Sequence, residues 1–397
     1  MEYKLLSKIF YSNQKTYDAE YESRLNSPST IRFSFKIKNN TAFIMITPEI
    51  FNKLYEIEEL DKALTSLTDV LPGIALDQYV KRCLIQEIVL TNEIEGVIST
   101  RQDVFEALEA QKYNDKNKRL YGLVKRYQKL KDNEDLSIKT CQDIRNIYND
   151  LALQEVIADN PQNMPDGIYF RKHGVNVTSQ FNKVIHTGVS PEDELNSAMT
   201  VALDILNNSN VNILLRVAIF HYLFGYIHPF YDGNGRTSRF ISSYLLSKNL
   251  NVLTGYRLAY TIKENITAYH NSFKLVNDEK NKGDLTPFVT IFFDILIKSF
   301  NILIDSISKR YDQLEYYSQL SHELLDNDDK LASVAFVIFQ NTIFGTVGIS
   351  FDELVHASLS TEYTVKKAIN ILKNKNLLKI TKSGNKYLYD FDMEKLR

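Results

Sequence analysis

The sequence predicts a mainly α-helical fold with short β-hairpins, and three patterns predict it. Apolar residues recur at three- and four-residue spacing over most of the 397 positions, the mark of helices with one buried face. Strict alternation is confined to short runs beside turn-prone residues. From Lys330 onward the order is three helices and then a hairpin.

Taken along the chain, the first pattern is Ile31, Phe33, Phe35 and Ile37, then Asn39-Asn40, then Ala42, Ile44 and Ile46. Period two around a turn pair reads as a β-hairpin. Beyond Pro48 the period becomes helical, over 48–69, 75–95, 101–112, 117–131 and 137–152. Two prolines and a glycine in ADNPQNMPDG (158–167) mark a long loop. Val175-Asn176-Val177 and Val184-Ile185-His186, flanking TSQFNK, form a second hairpin pattern. Helices resume over 191–208, 211–227, 235–249, 262–275 and 286–325. At the end, helices over 330–343, 351–357 and 361–375 precede two strands around Ser383-Gly384-Asn385. That is the order of a winged helix-turn-helix module. The breaks divide the chain into an N-terminal region 1–112, a helical core 113–325 and a C-terminal module 330–397.

Composition narrows the function classes. A chain of 397 residues exceeds one ordinary core. A net charge of −2 argues against wholesale nucleic-acid binding but leaves a local basic patch open. Residues 330–397 hold ten Lys or Arg against six Asp or Glu, with lysines 366, 367, 373, 375, 379, 382 and 386 in the later half. Cys83 and Cys141 lack metal-ligand spacing, so a reducing cytoplasm is the expected home. MEYKLLSKIFYSNQ has no apolar run of signal-peptide length. The most apolar stretches, 211–227 and 287–307, are broken by Arg216 and His221 and by Asp294, Lys298 and Asp305. They are expected to be buried helices, not membrane spans.

The chemistry concentrates in HPFYDGNGRTSR, residues 228–239. Pro229 disfavours helix at His228, so one helix ends there with the imidazole at its exit. Apolar spacing resumes at Phe240 and Ile241, so Asp232-Gly233-Asn234-Gly235 is a loop ahead of a helix N-terminus. Free N–H groups and the positive end of the dipole suit phosphate oxygens there. The glycines let a ligand approach the backbone. Arg236 and Arg239 share a helix face and reach one anion. Asp232 adds a hard oxygen ligand for Mg²⁺. Together these residues specify a nucleoside triphosphate site beside a histidine base.

The stretch also resembles, position for position, the HPFxDGNGRxxR motif of the Fic family, and the likeness extends over about residues 48–325. The resemblance implies an all-α fold that transfers AMP from ATP, with Mg²⁺, to protein hydroxyls. His228 resembles the general base, Phe230 the buried anchor of the loop, and Asp232 the Mg²⁺ ligand. Gly233, Asn234 and Gly235 resemble the phosphate cradle, and Arg236 and Arg239 the residues gripping the β- and γ-phosphates. The hairpin at 175–186 takes the place of the flap that docks the protein target as an added strand. Tyr269 resembles the aromatic bordering adenine, although relatives often have Tyr-Tyr where this chain has Tyr269-His270. A helix-core role for Tyr269 is the alternative.

A second resemblance lies upstream. In TNEIEG (91–96), Glu95 falls in the last turn of a helix that Gly96 stops, where the dipole disfavours a carboxylate. Thr91, Glu95 and Gly96 resemble the family's inhibitory motif [S/T]xxxE[G/N]. In relatives that glutamate pairs with the second arginine, here Arg239. Glu87 and Glu93 are neighbouring acids that the spacing does not favour.

Other readings stay open. UMP transfer, AMP removal or Doc-like phosphoryl transfer would use the same cleft, with the intact Gly233 and Gly235 favouring nucleotidyl transfer. A regulator binding DNA through 330–397 is the non-enzyme alternative, and the same module could serve homodimerisation or target docking.

Overall fold

The computed structural model describes residues 3–132, 134–178, 184–383 and 386–396. It divides into two compact units, Met1–Asp61 with Ile85–Phe300, and Lys62–Leu84 with Asn301–Arg397. The divisions at 61/62, 84/85 and 300/301 fall inside long helices, not in loops.

The first unit opens with two helices that the periodicity does not predict, α1 (Leu6–Ser12) and α2 (Gln14–Leu25). They form because Leu6 and Tyr17 bury against Phe43, with Ile9, Phe10, Tyr21 and Leu25 packed around them. Tertiary burial decides here, as it commonly does over weak local preference. Strands β1 (Thr30–Ile37) and β2 (Asn40–Met45) pair antiparallel with Ile37 opposite Asn40. The turn is Lys38-Asn39, one position earlier than expected, with Lys38 at φ 53° and its N–H donating to Tyr226 Oη at 2.7 Å.

Helices α3 (Pro48–Asp69), α4 (Gly73–Ile94), α5 (Arg101–Lys112), α6 (Tyr121–Lys131) and α7 (Cys141–Tyr148) follow. Thr100/Asp103 and Thr140/Asp143 form capping boxes that start α5 and α7, each satisfying two orphan N–H groups. A π-turn (Asn149–Leu153) continues α7 into α8 (Gln154–Asp159). The second hairpin is present, β3 (Asn176–Thr178) against β4 (Val184–Thr187). Residues 179–183 of its expected connection lie outside the described residues.

Then come α9 (Glu192–Asn207), α10 (Ile213–Ile227) and α11 (Asn234–Asn249). Nearly all of α10 is buried, including His221. The helix expected over 262–275 is two, α12 (Leu258–Glu264) and α13 (Ile266–Asn277). Asn265 separates them, donating its side-chain amide to Thr261 O at 2.8 Å, a local bond that competes with the helix ladder. Helix α14 (Thr286–Leu324) is long and apolar enough to cross a membrane by length and composition, and 56% of its most apolar window is buried inside the protein.

The second unit adds α15 (Asp329–Phe344), β5 (Ile349–Ser350), α16 (Phe351–Ala357), α17 (Glu362–Asn374), β6 (Leu378–Ser383) and β7 (Lys386–Phe391). The strands form an antiparallel sheet of order β5-β7-β6, with Leu378 opposite Phe391 and Ser383 opposite Lys386. Gly384 and Asn385, the expected turn, lie outside the described residues. Phe339 of α15 stacks on Phe391 at 3.6 Å, closing a core that includes Ile338, Leu354, Val365 and Leu372.

Candidate active site

All of the site lies in the first unit. Helix α10 ends at His228, which adopts the left-handed conformation (φ 53°, ψ 64°) while its N–H still reaches Phe224 O at 2.9 Å. That conformation costs a residue with a Cβ roughly 1–2 kcal/mol, so something must hold it. Arg171 does. Buried and fully enclosed, it donates from Nε to His228 O at 2.9 Å, from Nη1 to His173 O at 2.6 Å and from Nη2 to Val189 O at 2.8 Å. One guanidinium thus ties the His228 carbonyl to both stems of the β3–β4 hairpin. The sequence reading misses Arg171, because a loop arginine among other charges carries no periodic signal.

The loop beyond His228 is braced from inside. Phe230 is fully buried, stacks on Tyr148 at 3.7 Å and meets Phe170 edge-on at 5.5 Å. Asn234 clamps it by a reciprocal pair, donating to Phe230 O at 2.7 Å and accepting from Phe230 N at 2.9 Å. Its side chain is therefore committed to the loop, leaving the backbone N–H as what it offers a ligand. Gly233 has φ 79°, and a Cβ there would stand 2.9 Å from Ala152 Cβ in the π-turn. Helix α11 begins at once, so its first N–H groups have no intrahelical acceptor.

Two arginines project from the first two turns of α11, each about 1% exposed, and each meets a carboxylate. Arg239 donates from Nε to Thr91 Oγ1 at 2.8 Å, and from Nη2 to Thr91 O and Glu95 Oε1, both at 2.9 Å. Arg236 donates from Nη1 to Glu155 Oε2 at 3.2 Å and has Asp232 Oδ1 3.7 Å from Nη2. Glu155, on α8, is a partner the sequence reading does not find. Gly235 makes room for the first contact: a Cβ there would fall within the Glu95 carboxylate and 2.9 Å from Arg239 Nη1.

Helix α4 delivers Glu95 through its C-terminal geometry. Gly96 sits at φ 76°, with Val97 N bonded to Asn92 O and Gly96 N to Glu93 O, both at 3.0 Å. This is the Schellman arrangement, which makes Glu95 the C-cap. The neighbouring acids go elsewhere. Glu87 caps α12, accepting from Ala259 N at 2.8 Å, and Glu93 pairs with Lys263 at 3.0 Å.

Burial lowers the His228 pKa to about 4, with Arg171 and His186 adding to the shift. The imidazole is accordingly neutral at pH 7 and free to accept a proton. Burial also lowers His221 to about 3, with Arg239 contributing. His221 Nε2 lies 2.7 Å from Tyr269 Oη, and its Nδ1 2.7 Å from Ser242 Oγ. Tyr269 is 7% exposed and its hydroxyl also meets the Arg239 guanidinium. Tyr269 is thus buried beside His221 and Arg239 in this structure.

Asp232 accepts from Gly233 N at 2.5 Å and keeps its side chain 34% exposed. Among the described residues no group of three or more His, Cys, Asp or Glu gathers. One part-exposed carboxylate makes no metal cage of its own. It does fit Mg²⁺, which binds through one or two carboxylates together with substrate phosphates and water.

Comparison with known proteins adds a family match. The Fic/DOC family model matches residues 139–246. A protein adenylyltransferase Fic of Drosophila willistoni is 32% identical over 142 residues, 36% of this chain and 25% of that protein. Its counterpart in Drosophila grimshawi is 33% identical over 121 residues, 30% of this chain and 23% of that protein. The chain thus spans about a quarter of the length of these curated relatives. The crystal structure of a Fic family protein from Desulfovibrio desulfuricans, 21% identical, has a TM-score of 0.52 and covers 87% of this chain and 97% of that one. That likeness is one of fold.

Proposed function

We propose, from the Fic/DOC family match over residues 139–246, that the chain transfers AMP from ATP to a Ser, Thr or Tyr hydroxyl of a protein, or of itself, under restraint by Glu95. What supports the reading is one cluster: a neutral imidazole, an open helix N-terminus and two buried arginines within a single loop and turn.

In the proposed reaction His228 takes the proton of the target hydroxyl, whose oxygen attacks the α-phosphorus. The new O–P bond forms as the bond to the β-phosphate oxygen breaks, and pyrophosphate leaves. The backbone of Gly233, Asn234 and Gly235 at the α11 N-terminus receives phosphate oxygens, and Arg236 and Arg239 grip the β- and γ-phosphates. Mg²⁺, held by Asp232 with the substrate, would neutralise polyphosphate charge. The β3–β4 hairpin would dock the target as an added strand, and the buried thiols of Cys83 and Cys141 suit a reducing cytoplasm.

In the conformation described, neither arginine is open to a triphosphate, since Glu95 with Thr91 covers one and Glu155 with Asp232 the other. Glu95→Gly should release Arg239 and raise labelling of targets from ATP by more than about tenfold. Without such a role, trading a helix-end glutamate for glycine only costs stability, about 0.5–1 kcal/mol. Labelled ATP with cell lysate tests this, and intact mass separates AMP from UMP or phosphate. Equal labelling by wild type and Glu95→Gly at saturating ATP would remove the inhibitory role.

A further inference from the structure

From the second unit we infer that α17 and the β6–β7 hairpin form a binding face for double-stranded DNA, a function separate from the nucleotide site. Between Tyr363 and Tyr389 the chain has seven lysines and no Asp, Glu or Arg, although the whole protein carries 47 basic against 49 acidic residues. The basic charge is therefore local, and the fold turns it outward.

Helix α17 buries Val365, Ala368, Ile369 and Leu372. Its opposite face exposes Tyr363, Lys366, Lys367, Asn370, Lys373 and Asn374, which are aromatic, cationic or amide side chains. Beyond it the edge strand β6 exposes Lys379, Thr381 and Lys382. Two acids of this module are engaged away from that face, and two others each meet one of its lysines. Asp390 accepts from Asn341 Nδ2 at 2.9 Å, and Glu353 closes a capping box with Ser350. Glu362, in the first turn of α17, pairs with Lys366 at 3.0 Å, and Asp328 stands 4.0 Å from Lys367.

The chemistry that suits such a face is a dense run of phosphates, and the shape selects the duplex. Helix α16 leads into α17 through a short turn in which Leu359 takes φ 49°, the helix-turn-helix arrangement that presents its second helix to a groove. The major groove of B-form DNA, about 12 Å wide, admits a helix, whereas that of A-form RNA is too narrow for side chains to read. Lysines contact phosphate without reading sequence, and Asn370 and Asn374 are the side chains of this face able to pair with an adenine edge.

The test is fluorescence anisotropy of the full chain with a mixed-sequence DNA duplex of about two helical turns, an RNA duplex of the same sequence, and polyglutamate. The expected result is DNA affinity in the range of about 1–100 μM at physiological salt, falling steeply between about 50 and 200 mM salt. Lys366→Gln, Lys367→Gln and Lys373→Gln together should weaken it at least about tenfold and reduce the salt slope by about 3. Thermal melting checks that this variant is folded, and the single Lys373→Gln change, reducing the slope by about 1, serves if the triple is not. No DNA binding at low salt overturns the inference. So does RNA or polyglutamate binding as tightly as DNA, the second outcome pointing to an acidic protein partner. An unchanged salt slope in the folded variant overturns it as well.

Discussion

At His228, burial first and then the Arg171 guanidinium set the protonation state that the proposed chemistry needs. An imidazole can act as a base only while neutral, and its folded pKa lies below the ordinary value of about 6.5. Protonation is therefore deferred to lower pH. In the Glu95→Gly background, AMP transfer should stay level from pH 8 down to about 5.5, then fall as pH approaches the imidazole's folded pKa of about 4. An ordinary exposed histidine would instead lose activity around pH 6.5. His228→Ala should abolish transfer while ATP binding persists, since the imidazole acts on the hydroxyl and not on the phosphates. Transfer within about threefold of the parent variant would take the base role away from His228.

At the scale of elements, helices α10, α11 and α13 share a buried polar chain that ends on Arg239. Tyr269 Oη and His221 Nε2 stand 2.7 Å apart in this chain, beside the Arg239 guanidinium. His221 Nδ1 in turn stands 2.7 Å from Ser242 Oγ. The chain fixes the guanidinium, so Tyr269→Phe should reduce transfer about tenfold by any nucleoside triphosphate the enzyme uses, and add no loss once Arg239 is Ala. If the ring borders adenine instead, Phe keeps the activity and Tyr269→Ala changes the preference between ATP and UTP. This network was only partly legible in the sequence. The stretch 228–239 and the helix end at Thr91–Gly96 could be read because their residues are contiguous and each obeys a local rule. The bounds of α5 and α16 followed from apolar period. Arg171 and Glu155 could not be found that way, since each acts on residues more than fifty positions away and sits in no pattern. The two-residue strand β5 was likewise invisible, because its identity comes from pairing with β7. The stop at Asn265 needed its side-chain bond to Thr261, which spacing does not show.

For the molecule as a whole, restraint by Glu95 and folding stability draw on the same contact. Arg239 is about 1% exposed, and Glu95, 24% exposed, is the carboxylate it pairs with at 2.9 Å. Removing one partner of a buried pair costs about 3–5 kcal/mol, because a charge is left uncompensated. Here the cost should be smaller, since Glu95 is partly solvated and Thr91 keeps two hydrogen bonds to Arg239. Glu95→Gly should therefore melt below wild type in the absence of nucleotide. On the proposed reading ATP then supplies the missing anion. A ligand that binds only the folded state stabilises it by RT ln(1 + [L]/Kd), about 2.7 kcal/mol at a hundredfold excess over Kd. Thermal melting with and without saturating Mg²⁺-ATP should thus give the variant a larger upward shift than wild type, enough to close the gap or reverse it. With Arg239→Ala added, that extra shift should vanish, because the group that receives the anion is gone. A variant that melts at or above wild type without nucleotide, and gains no more from ATP, would mean that the contact stores no free energy to release and that the restraint on activity lies elsewhere.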